Sequence, residues 1–505
     1  MRAWLVGALM VQAAGARAQG PAAAAASITE ADVMRRVGVI AHDSMMGRDT
    51  PSRGLELTAQ YIANEFKRIG LKPAGDSGTY FQRYPVTRTR LLAEASAVSF
   101  KAPDGRTFSL PFTTSAAILN GAPPTAPIEG PIAFLGGSDP ATVPTADVKD
   151  RVVVWVLDFT KPIPASAQQM VGTLLSAGAR GLVVVSNRDS AGFAGVVARQ
   201  LRERTSREGG GGDPFIVEVP TEGIVRHFPE AAQHIAETRA LTATRLETPE
   251  GWTVTVTVRD TVLERVMVPN VIGVLEGTDA RLRSEYIAYS AHMDHDGVKP
   301  PKAGTTDSIW NGADDDASGT VGVVELAEAF AQRGARPKRS VMFMTVSGEE
   351  KGLWGSAHFS DHPTVPIGSI VANLNIDMIG RNWKDTIAVI GRDHSNLGAT
   401  LDSVAKRHPE LRMTPVSDPW PQENLYFRSD HFNFARKGVP VLFFTSGLHD
   451  DYHQPTDSPD KIDGEKEARL LRLLFHAGRA IGDAPERPKW NPESYKRIVE
   501  GADIS

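Results

Sequence analysis

The stretch YIAYSAHMD, residues 286–294, decides how this chain reads. Residues 286–290 form an apolar and aromatic run without polar alternation, the pattern of a strand covered on both faces. The run ends in His292, Met293 and Asp294, so a histidine and a carboxylate sit just beyond a buried strand. The same arrangement recurs downstream. Residues 340–346 lead into Gly348, Glu349 and Glu350, and residues 370–376 lead into Asp377. Residues 439–445 precede Tyr452 and His453. A fifth group, Asp314, Asp315 and Asp316, follows the turn Trp310, Asn311 and Gly312, and precedes Ser318 and Gly319 at the start of a helix.

Further strands are predicted over 270–275 and 386–390, with helices over 320–332, 396–407 and 465–481. Alternating strands and helices with continuous apolar strands predict an α/β fold, a mixed and mostly parallel sheet sandwiched by helices. In such sheets, sites form outside the carboxyl ends of the strands. Five groups of potential ligands collecting at that edge is the geometry a metal site needs.

Working outward, residues 27–110 open with two helical patterns. Thr29 caps the first with Asp32 three residues on; the second runs over 55–69 and is stopped by Gly70. Between them lies a turn-rich loop holding Met46, Gly47 and Arg48. From about residue 111 the texture changes to short β-branched runs separated by Pro- and Gly-rich turns. Residues 111–260 therefore read as a small β-rich domain inserted into a larger one that resumes over 261–485. The run Gly209 to Gly212 reads as a loop inside the insert. Residues 486–505 are a polar tail lying on the surface. Residues 1–18 read as an export leader: Arg2, an apolar run over 4–11, then Ala16, Arg17 and Ala18 as a small-x-small cleavage pattern. The expected location is periplasmic or extracellular.

The 505 residues carry 55 Lys+Arg against 60 Asp+Glu, a formal charge of −5, and no cysteine. The charge gives no reason to expect nucleic acid. Without cysteine, disulfides, thiolate nucleophiles and thiolate-held metals are excluded. A metal must be held by His, Asp and Glu, which suits Zn²⁺, with Co²⁺ or Mn²⁺ as substitutes. Beyond the leader no segment is apolar enough to span a bilayer.

Taken together, His292-x-Asp294, Asp315 to Gly319, Glu349-Glu350, Asp377 and His453 resemble the di-zinc aminopeptidase, glutamate carboxypeptidase and transferrin receptor family. The Met46 to Arg48 loop, Ser429-Asp430-His431 and Tyr452 to Asp457 match its pattern too. The insert resembles a protease-associated (PA) domain, notably over 148–157 and 177–181. The resemblance implies two zinc ions, His292 and Asp377 holding one, Glu350 and His453 the other, Asp315 bridging. It chooses Asp315 over its neighbours because Asp315 stands four residues before Gly319. It also implies a cis Asp315–Asp316 bond. Glu349 would be the general base toward a water between the metals, Asp294 would orient His292, and Tyr452 would donate to the developing oxyanion.

The implied activity is release of N-terminal residues from peptides. A carboxypeptidase or dipeptidase of the same fold is the alternative, with Arg381, Arg428 or Lys351 available for a terminal carboxylate. A glutaminyl cyclase and a binding protein without catalysis rank lower. His295 and Asp296 read as surface or supporting groups outside the ligand set. His431 reads as a loop organiser, since three consecutive side chains cannot converge as a catalytic triad.

Overall fold

A computed structural model describes residues 20–163, 166–208, 214–301, 304 and 306–501. The leader over 1–18 and the Gly209 to Gly212 run lie outside the described residues. The chain divides into two compact units, one joining the residues up to Arg83 with Pro269–Val499, the other built on Tyr84–Val268.

The larger unit is organised around the strand Tyr286–His292. It runs parallel to Ser340–Val346 on one side and to Ile370–Ile376 on the other. Val441–Thr445 continues the parallel set beyond Ile370–Ile376. The outer strands break the pattern: Thr386–Ile390 lies antiparallel to Val441–Thr445, and Val271 to Leu275 antiparallel to Ser340–Val346. The fold is therefore a mixed sheet with a parallel centre, as expected. Every residue of Ser340–Val346 and Ile370–Ile376 is buried, which explains their mostly apolar texture; Asn373 and Asn375 donate to the Ser290 and Ser429 hydroxyls. Because the four central strands point the same way, their carboxyl ends open on one edge.

Helices form where their ends are satisfied. Thr29 accepts from the Asp32 amide at 3.2 Å and caps Glu30–Ile40. Ser52 caps Arg53–Ile69, and Gly70 closes it at φ 87°, a left-handed value that glycine adopts freely. Gly319–Ala331 buries residues on all sides. The long helix Gly464–Asp483 packs a broad face that includes Leu470, Leu471, Leu474 and Phe475. Fully burying such side chains contributes about 1.5–3 kcal/mol each.

Two elements differ from the expectation. A helix, Trp354–Asp361, follows Glu350 without a periodic apolar signal; it starts after Leu353 at φ 61°. The tail is also less superficial than its polarity implies. Ile498 is buried among residues that include Val439 and Phe443, and the Trp490 indole donates to the Gly438 carbonyl at 2.9 Å. A few well-placed apolar residues anchor an otherwise polar segment.

The smaller unit has its own core. Ile128–Gly136, Val152–Val156, Gly181–Ser186 and Ile216–Pro220 form a parallel set. Antiparallel strands Ala97–Lys101, Thr107–Pro111 and Thr253–Thr257 flank it. The first two precede residue 111, yet Val98, Phe100, Phe108 and Leu110 pack into this unit's core. Only that packing assigns them. The helix Ser166–Ser176 forms where the sequence predicts one over 165–176, and Ser190–Gln200 and Ala231–Arg239 add helices to what otherwise reads as mostly strand.

Candidate metal centre

The open strand edge of the larger unit gathers the chemistry. His292 ends its strand, Asp377 directly follows Ile376, and Glu349 and Glu350 lie in the turn after Val346. His453 comes from the loop beyond Thr445, at φ 52°. Asp315 lies in the turn before the Gly319 helix, where the Asp315–Asp316 bond is cis.

Asp315 stands between two groups. Its Oδ1 is 3.2 Å from His292 Nε2, which is in turn 3.5 Å from Asp377 Oδ1. Its Oδ2 is 3.1 Å from His453 Nε2, which is 3.2 Å from Glu350 Oε2. One carboxylate thus offers an oxygen to each side. On the first side the donor atoms of His292, Asp315 and Asp377 lie within 4.8 Å of one another; on the second, those of His295, Asp315 and Glu350 do, and so do those of Asp296, Glu350 and His453.

The neighbouring acids are spent elsewhere. Asp316 Oδ1 accepts from the Gly319 and Met378 amides, and Oδ2 from the His292 amide. Asp314 Oδ1 accepts from the Gly380 amide at 2.6 Å, and its Oδ2 lies 3.2 Å from His449 Nε2. Asp457 accepts from the amides of both Asp314 and Asp315, pinning the turn. Of three consecutive aspartates, only Asp315 turns its carboxylate to His292 and His453.

His295 is not a surface group. It is fully buried, with Nδ1 2.7 Å from Glu350 Oε1 and 3.7 Å from Asp315 Oδ2. Asp296 is tied to Lys299 at 2.6 Å, with its carboxylate 3.8 Å from His453 Nδ1. The sequence signal was there, a His and an Asp immediately after Asp294. Nothing local distinguishes them from solvated loop residues.

Asp294 braces the site differently from the expectation. The group 3.2 Å from His292 Nδ1 is its main-chain carbonyl, while its carboxylate is 3.9 Å away. The carboxylate accepts instead from the Glu349 amide and from Thr50 Oγ1, holding the turn that presents Glu349. Thr50 also accepts from the Gly348 amide. Ser429 donates to Asp377 Oδ2 at 2.7 Å, leaving Oδ1 toward His292. The ring of His431 stacks on Phe443 and burial pushes it down to about 3, a neutral core histidine. Arg48 lies under the centre and donates to the carbonyls of Ile40, Met293, Asn311 and Gly312.

Burial dominates the electrostatics. It holds the Glu349 carboxyl well above the usual carboxylate range, although His292 opposes it. It raises Asp294 to about 6. Burial and the Asp315 charge act upward on Glu350 as well, but hydrogen bonds from His295 and His453 bring it below the ordinary range. Burial likewise acts against the charged form of His453, and the carboxylates of Asp315 and Glu350 outweigh it, raising the ring to about 10. Carboxylates this close repel one another unless positive charge lies between them. Asp315 Oδ2 is buried with no well-formed hydrogen bond, and so is His295 Nε2. Imidazole and carboxylate donors, thiolate absent, fit one or two divalent cations.

A cavity opens over these groups. His292, Asp315, Glu349, Asp377 and Tyr452 form its polar wall; Met378, Leu425, Phe443 and Leu448 form an apolar one. Such a cavity offers an apolar wall beside a cluster of polar groups.

Comparison with known proteins finds relatives named as zinc metalloprotease and as aminopeptidase. A protein of Pyrenophora tritici-repentis named "Probable zinc metalloprotease" is 26% identical over 219 residues, 35% of this chain and 45% of that one. A "Probable leucine aminopeptidase" of Arthroderma otae is 27% identical over 226 residues, 43% of this chain and 57% of that one. The aminopeptidase YwaD of Bacillus subtilis is 24% identical over 247 residues, 46% and 48% of the two chains. The chain spans about half the length of the curated relatives it matches. Among solved structures, the aminopeptidase from Aneurinibacillus sp. strain AM-1 shares the fold at 17% identity. Its TM-score is 0.50, over 92% of this chain and 96% of that one. The model of peptidase family M28 matches residues 270–477, a span that holds all five candidate ligands together with Glu349, Asp294 and Tyr452. The resemblance read from the sequence and the match over 270–477 point to the same group, peptidase family M28.

Proposed function

We propose that this protein is an exported two-zinc exopeptidase, an aminopeptidase that releases N-terminal residues from peptides. The observation that carries the reading is the placement of Asp315, one oxygen beside His292 and Asp377, the other beside His453 and Glu350. Relatives named as zinc metalloprotease and as aminopeptidase support the metal and the reaction. In this reading His292 and Asp377 hold one ion, Glu350 and His453 the other, and Asp315 both. Bound divalent ions supply Lewis acidity, lowering the pKa of water and polarising a carbonyl oxygen.

The chain's own residues do the rest. Glu349 accepts a proton from the attacking water and passes it to the leaving amine nitrogen. Asp294 keeps the Glu349 amide, and so its turn, in place. The Tyr452 hydroxyl donates to the carbonyl oxygen as charge develops there. The apolar wall takes the side chain ahead of the scissile bond. The insert over 84–268 is read as a PA-like unit, and the segment 1–18 as a cleaved leader. Mass spectrometry of exported protein beginning at Gln19 supports the leader; an intact Met1 rejects it.

The decisive test pairs two peptides, one with a free amino terminus and one N-acetylated, incubated with zinc-loaded protein. Loss of the first residue from the free peptide alone is expected. Shortening of both from the carboxyl end refutes the aminopeptidase reading in favour of a carboxypeptidase. Glu349→Ala is expected to retain metal, measured by elemental analysis, and to lose about 10²–10⁴-fold in kcat. Turnover near that of the unchanged protein rejects Glu349 as the base.

A further inference from the structure

Three cations stand near the centre in sequence, and the structure separates them. Lys351 Nζ is 2.7 Å from Asp49 Oδ1, and Arg381 Nη2 is 2.9 Å from Asp451 Oδ2. Both ends pair with carboxylates, and neither residue lines the cavity. Arg428 lines the cavity that His292, Asp315, Glu349 and Tyr452 also line. Its ion-pair neighbour among the described residues, Glu423, is 3.5 Å away, with side-chain exposures of 42% and 44%. So open and long a pair is worth little and yields readily to a better partner.

The base of Arg428 is nevertheless fixed. Its amide donates to the Leu425 carbonyl at 3.1 Å, and the next residue, Ser429, is bonded to Asp377. The side chain that carries this planar donor fork thus starts one residue from the hydroxyl that bonds Asp377, on the wall of a cavity otherwise rich in carboxylates. A guanidinium in that position matches a carboxylate that binds in the cavity.

On the exopeptidase reading, we propose that Arg428 receives the α-carboxylate of the residue that follows the scissile bond, so that dipeptides are the preferred substrates. In a dipeptide that carboxylate belongs to the residue directly after the bond, its carbon about 2.5 Å from the leaving nitrogen. A longer peptide presents a neutral amide there and gains no charge-assisted bond.

The test uses a dipeptide whose scissile amide is reduced to CH₂–NH, as the free acid and as the carboxyl-terminal amide. Each is titrated calorimetrically into the zinc-loaded protein and into Arg428→Gln and Arg428→Lys. The acid is expected to bind about tenfold tighter than the amide, with the ratio near one in Arg428→Gln and partly restored in Arg428→Lys. A ratio near one in the unchanged protein, or one that survives Arg428→Gln, overturns the proposal. Turnover of a dipeptide and its amide is measured in parallel. Equal kcat/KM for the two also overturns it and leaves the aminopeptidase reading standing. Cleavage of neither removes both.

Discussion

Arg48 is fully buried, and its hydrogen bonds go to main-chain oxygens on three separate stretches of chain. Burial pushes its guanidinium down, while the charges of Asp294 and Asp315 work the other way. It ties the loop before the first strand to the turns that carry Asp294 and Asp315. Replacing it with Met strands several buried carbonyls, each costing about 1–3 kcal/mol. Arg48→Met is therefore expected to lose at least about 2 kcal/mol in denaturant unfolding; an unchanged midpoint rejects the brace. The Met46 to Arg48 loop matched a family pattern in the sequence, but its partners stand up to 264 residues away and were invisible there. His295 illustrates the same limit. Its neighbour Glu350 lies 55 residues on, so adjacency to Asp294 alone left it looking like a surface residue.

At the scale of elements, the Gly319 helix and the strand ending in Ile376 approach as closely as backbone allows. A Cβ on Gly319 would meet the Ile376 carbonyl at 2.3 Å and Asp316 Oδ1 at 2.4 Å. Gly319→Ala must displace the strand end that carries Asp377 or the turn that carries Asp315. It is expected to lower thermal stability and to weaken zinc binding at least about tenfold in a chelator competition. Full affinity with a lowered melting point separates the helix contact from the centre and rejects the coupling. The central strands were legible because burial on both faces writes a continuous apolar run. The helix Trp354–Asp361 was not, being 8 residues long and opened by a left-handed Leu353. Gly355 within it leaves no room for a side chain, since a Cβ there would meet Asn270 Oδ1 at 2.3 Å.

For the whole molecule, the smaller unit buries a substantial core of its own, including Trp155, Phe112 and the Val152–Val156 strand. A chain of about 185 residues is long enough to fold alone. Residues 84–268 expressed by themselves are expected to unfold in one cooperative calorimetric transition. A broad, non-cooperative profile rejects that autonomy. The change of texture near residue 111 marked that something was inserted. It missed the strands Ala97–Lys101 and Thr107–Pro111, whose alternating pattern fits either unit until their neighbours are known.

The order of strands and helices, the absence of thiolate chemistry and the residues able to hold a metal were readable along the chain. Each of these rests on local pattern: periodicity, caps, residue type and spacing. Which aspartate faces the histidines was settled by long-range contacts. Asp457, 143 residues from Asp314, takes the turn's amides, and Asp316 is used up on the Gly319 and Met378 amides. The availability of Arg428, the burial of His295 and the main-chain contact to His292 were decided in the same way. A side chain's chemistry is carried by its identity, but its direction is set by which partners the fold brings within hydrogen-bond reach.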